Sequence, residues 1–84
     1  MKVNGEEILG FYVCGEESGT LTTKPLKTLK ECYDFIQEDK RICKEYTRGT
    51  MKDIYYIEIE TKEHIYTGYT LKKYKNRYWL KMEG

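Results

Sequence analysis

The chain has 84 residues, 35% of them charged and 39% hydrophobic, with a formal net charge of +1. That length accommodates one small hydrophobic core and excludes a second, and the wealth of Tyr, Ile and Leu excludes a disordered chain. No stretch is long and apolar enough to span a membrane, and MKVNGEEILG lacks an apolar run of signal length.

The small net charge hides an asymmetry. Residues 1–40 hold five lysines against eight acids, whereas residues 41–84 hold ten Lys or Arg against six acids. A footprint for an anion therefore belongs to the second half. Three cysteines, at 14, 32 and 43, form no CxxC pair. An odd count without a secretory segment argues for reduced thiols and a cytoplasmic setting. The chain has no Ala, and Lys outnumbers Arg twelve to three. Both biases point to an AT-rich genome.

Along the chain, EILGFYVC at 7–14 alternates as a strand, with Leu9, Phe11 and Val13 on one face and Ile8, Tyr12 and Cys14 on the other. GEESG at 15–19 reads as a loop and TLTT at 20–23 as a returning strand, which Pro25 ends because it cannot donate to a ladder. Thr28 and Glu31 form a capping box that opens a helix. Leu29, Cys32, Ile36 and Cys43 share roughly one helical face. Asp39 falls inside that apolar arc, so the helix is expected to end or bend near residues 38–41. YTRGTMKD at 46–53 reads as a loop.

Three strands are expected next, at 54–61, 65–74 and 77–82. A two-residue turn at Lys75-Asn76 sets Leu71 opposite Leu80 and Tyr69 opposite Met82. A three-residue loop at 62–64 sets Ile57 opposite Tyr69 and Ile59 opposite Thr67. One face then carries Tyr55, Ile57, Ile59, Ile65, Tyr69, Leu71, Tyr78, Leu80 and Met82, and seats the helix. The other carries Tyr56, Glu58, Glu60, Tyr66, Thr70, Lys72, Tyr74, Arg77, Trp79 and Lys81. The predicted architecture is a single α+β domain over 1–84, a mostly antiparallel ββαβββ sheet with one helix packed on one face.

Trp79, the single Trp, is thus expected opposite Lys72 and between Arg77 and Lys81. A base can stack on such a ring while the cations meet phosphate. Trp, Tyr and Arg are equally the anchors of protein interfaces. Lys72 packing over the indole would make the face purely structural. The expected contact set is Tyr56, Tyr66, Lys72, Tyr74, Arg77, Trp79 and Lys81. Glu58 and Glu60 on the same face oppose a phosphate backbone laid across it. Arg48, Thr50 and Lys52, around Gly49, could cradle an anion, although they lack P-loop spacing.

Catalysis is not expected. His64, the only His, falls at a hairpin tip where the sequence offers nothing to hold a base. Cys32 and Cys43 read as core-facing and inert. Three Cys and one His match no finger or ribbon spacing, so neither metal nor cofactor is expected. Self-association would help a domain this small bury more apolar surface.

KPLKTLKECYDFIQEDKR followed by DIYYIEIE resembles a pattern of small accessory proteins of phages and mobile elements in AT-rich Gram-positive bacteria. The likeness covers about residues 9–60: a hairpin, a capped "KTLKE" helix and a Tyr/Ile-rich strand. It supplies no catalytic residue, and the basic C-terminal hairpin lies outside it. The resemblance implies a non-enzymatic inhibitor of a host defence system, working in the host cytoplasm. Such an inhibitor grips a host protein or, alternatively, sequesters a nucleotide signal or binds single-stranded nucleic acid.

Overall fold

The computed structural model describes residues 1–47 and 54–82, without the side chains of residues 44–47. Within them, six strands and one helix form an α+β fold. Asn4 and Gly5 both take positive φ, 49° and 80°, the backbone that a two-residue Asn-Gly hairpin turn requires. The turn pairs β1 (Lys2–Val3) antiparallel with the start of β2 (Glu6–Gly15). This first strand adds to the expected ββαβββ order, and Asn-Gly, the strongest short hairpin signal, accounts for it.

The far end of β2 pairs with β3 (Gly19–Thr20). The expected strand at 20–23 is shorter because Thr22 leaves the ladder: its hydroxyl, in a buried side chain, accepts the Val13 N–H at 3.2 Å. Between β1 and β3 the segment around Pro25 closes onto β2. Phe11 N–H donates to Leu26 O at 2.8 Å, and Leu26 N–H returns to Phe11 O at 2.7 Å. Gly10 permits this approach, since a Cβ there would stand 2.4 Å from Pro25 Cβ.

The helix α1 (Leu29–Thr47) starts where the capping box placed it. The Thr28 hydroxyl accepts from Glu31 N–H at 3.1 Å and meets the Glu31 carboxylate at 3.3 Å. Lys30–Asp34 and Glu38–Arg41 add exposed pairs along the outer side. Contrary to expectation, the helix runs through residues 38–41. Asp39 does not break it because the Tyr55 hydroxyl donates to its carboxylate at 2.6 Å, which satisfies the polar group on the inward arc.

β4 (Tyr55–Thr61) pairs with β2, β5 (Ile65–Tyr74) with β4, and β6 (Arg77–Met82) with β5, all antiparallel. The sheet order is β1-β2-β4-β5-β6, with β3 beside β2. Phe11 and Val13 of β2, Ile57 and Ile59 of β4, and Leu29, Cys32 and Ile36 of α1 make the buried core. Each large apolar side chain so buried contributes roughly 1.5–3 kcal/mol. Burial also pushes the Cys32 thiol up to about 12. Cys14, Cys32 and Cys43 are free thiols, and Cys43 is half-buried rather than in the core.

Two bulges correct the expected faces. Ile57 lies opposite Tyr69 as predicted, but Ile59 lies opposite Tyr66 rather than Thr67. The extra residue is absorbed near Gly68, at φ 88°, and a one-residue slip exchanges faces. Tyr66 therefore packs on the helix side, against the core. Ile65, expected in the core, stands 56% exposed on the open face. In β2 the register shifts between Ile8 and Gly10, so Leu9 is exposed and Ile8 packs on the core instead. At the sheet's other end Met82 has the expected register but remains exposed.

Candidate functional site

The helix covers one face of the sheet and leaves the other open. Five of the seven expected contact residues meet on that open face. Lys72 lies opposite Trp79, Tyr74 opposite Arg77, and Thr70 opposite Lys81. The Lys75-Asn76 turn fixes this register, with Lys75 at φ 55°. Tyr56 shares the face two strands away from Trp79. It is half-buried beside Cys14, and desolvation raises its phenol above the usual range. Tyr66 is removed from the set by the bulge at Gly68.

Trp79 is 45% exposed. The rings of Tyr33, Tyr55, Tyr74 and Tyr78 each have a lysine ammonium within 6 Å. Among the described residues no lysine ammonium lies over the Trp79 ring, although Lys72 stands directly opposite it in the ladder. Nor do Lys72, Arg77 or Lys81 form an ion pair among the described residues. Glu58 and Glu60 share the face on β4, opposite Tyr12 and Gly10 of β2. The open face is thus acidic toward β4 and basic along β5 and β6.

Arg48, Thr50 and Lys52 lie outside the described residues. An open cleft of about 380 Å³ is lined in part by Glu16, Ile54, Tyr56, Gly68 and Thr70. Its described lining offers no cation for an anion.

A second cluster, on the helix-side face, was not visible in the sequence. Glu6 follows the Asn4-Gly5 turn, and His64 precedes β5. His64 Nδ1 meets Glu6 Oε1 at 2.9 Å. Because Glu6 is an acceptor, Nδ1 carries the proton. The Tyr66 hydroxyl donates to Glu6 Oε2. The Thr61 hydroxyl shares its proton between Glu6 Oε1 at 2.9 Å and His64 O at 3.1 Å, and accepts His64 N–H at 3.0 Å. His64 is therefore held, contrary to the expectation of an unsupported hairpin tip.

The hydrogen bond from Tyr66, followed by that from His64, lowers the Glu6 carboxyl to about 2. Glu6 in turn raises both the His64 imidazole and the Tyr66 phenol. The ligand-type atoms of Glu6, Glu63 and His64 lie within 4.8 Å of one another. A cation binding Glu6 would have to displace protons already supplied by Tyr66, His64 and Thr61. The arrangement ties the first hairpin to the β4–β5 turn, with both Glu6 oxygens occupied by Tyr66, His64 and Thr61. No local pattern announces it, since Glu6 and His64 are 58 residues apart.

Comparison with protein-family models, with curated proteins and with solved structures returns no match. Among the described residues, no helix is long and apolar enough to cross a membrane.

Proposed function

We propose that this chain is a non-enzymatic binding protein whose open β5–β6 face engages a partner protein, with an accessory inhibitor of a host defence system as its setting. The observation that carries this reading is Trp79: half-exposed, uncapped by any described cation, and flanked by three cations without described ion pairs. Trp, Tyr and Arg are the residue types enriched at the centres of protein interfaces, where they carry most of the binding energy. The described polar contacts of His64, to Glu6, Thr61 and Tyr66, engage its backbone N–H and Nδ1 and brace the first hairpin against the β4–β5 turn. The resemblance over residues 9–60 supplies the setting alone.

A nucleotide or single-stranded nucleic acid is the second reading, favoured by the same stacking ring between cations. Glu58 and Glu60, standing on the same face, count against a phosphate chain laid across the strands.

The test is retention from host lysate by the immobilised wild-type chain and by the double variant Trp79→Ala, Arg77→Glu. The wild type is expected to hold a nuclease-insensitive protein that the variant loses, while the variant keeps a cooperative thermal transition. Equal retention by both removes the face. Retained material that is purely nucleic acid or nucleotide moves the assignment to the second reading.

A further inference from the structure

We infer that a partner docks by strand addition: an extended segment with alternating acidic and apolar side chains pairs with the free edge of β6. This rests on the protein-binding reading above and specifies its mode.

The two edges of the sheet differ. The outer edge of β2 is covered by β1, by the Leu26 bridge and by β3. The outer edge of β6 pairs with nothing among the described residues. A bare edge presents backbone donors and acceptors to any extended chain. Side chains along this edge alternate by register: Arg77, Trp79 and Lys81 on the open face, Tyr78, Leu80 and Met82 on the helix side. An added strand would place its own side chains in the same two rows.

Charge selects the occupant. In an antiparallel pairing of two copies centred on Trp79, Arg77 would stand opposite Lys81 twice, and like charges directly opposed are destabilising. The cations thus discourage self-pairing and favour carboxylates. The apolar row next to Tyr78, Leu80 and Met82 favours aliphatic side chains between them. Glu58 and Glu60 do not oppose this partner. A strand beyond β6 lies three spacings from β4, about 14 Å, whereas charges are screened over about 8 Å at physiological salt. A polynucleotide crossing the face has no such separation.

The probe is a capped eight-residue peptide alternating Glu and Val, titrated into isotopically labelled protein and followed by amide shifts and hydrogen exchange. The expected result is saturable binding with slowed exchange of β6 amides and little change in β2. Arg77→Glu or Lys81→Glu should each weaken it about fivefold. The double reversal should lose the Glu peptide and gain the matching Lys–Val peptide, which also shows that the variant folds. Three outcomes overturn the inference: no saturable binding, binding without β6 protection, or displacement of the peptide by oligothymidylate at equal concentration. A concentration-dependent dimer that protects β6 without peptide overturns it in favour of a second copy. If lysate retention depends on Trp79 but the peptide fails, strand addition falls and the face stands. If retention ignores Trp79, the face falls first.

Discussion

The polar network at Glu6 and the row of cations beside Trp79 are built from similar side chains and finished in opposite ways. At Glu6, one carboxylate gathers Tyr66, His64 Nδ1 and Thr61, so both of its oxygens are met inside the molecule. Beside Trp79, Lys72, Arg77 and Lys81 find no ion pair among the described residues. The first arrangement ties the β1–β2 hairpin to the β4–β5 turn. The second leaves the late strands chemically unfinished. A count of charged residues would not separate them. What separates them is whether the backbone register brings complementary groups together.

The closed side can be broken most strongly at Gly10. Gly10→Ala drives a methyl group into Pro25 and should cost about 3 kcal/mol, lowering the melting temperature by roughly 15 °C. If the two regions are independent, a peptide bound at β6 should still bind to this variant below its transition. Thr22→Val removes the acceptor for the buried Val13 N–H and should cost about 2 kcal/mol in urea unfolding. An unchanged midpoint would show that another group replaces the hydroxyl.

Glu6→Gln has the smallest effect and the most informative pH dependence. Glu6 is depressed from 4.5 to about 2, so its contribution is present above 4.5 and is lost as pH falls toward 2. His64 is raised above 6.5, so its contribution is present below 6.5 and is lost as pH rises through the elevated value. The network should therefore stabilise most between about pH 4.5 and 6.5. Melting temperature plotted against pH should flatten on both limbs in the Gln variant. A profile that keeps both slopes would assign the titration to other groups.

Much of the late hairpin was legible because its information is local. A two-residue turn and strict alternation determine Lys72 opposite Trp79, and nothing between residues 69 and 82 interrupts the phase. The helix start was legible for the same reason, through Thr28 and Glu31. The phase failed at Leu9 and near Gly68, where an extra residue moves side chains across the sheet. Glycines inside both strands carry that signal, which strict alternation does not register. Tyr66 and Ile65 exchanged faces as a result. The helix's passage through Asp39 is not legible locally, because the partner that satisfies it, Tyr55, lies beyond the helix in sequence. Glu6 and His64 stayed hidden for the same physical reason: long-range pairing is a product of the fold and leaves no spacing to read.

The buried thiol of Cys32 provides a clock. Burial pushes its thiol up to about 12, so the reactive thiolate is scarce at neutral pH, and the side chain is fully enclosed. An alkylating reagent must wait for the helix to lift from the sheet. The labelling rate of that sulfur, compared with half-buried Cys43, therefore measures how often the core opens, without any probe being introduced.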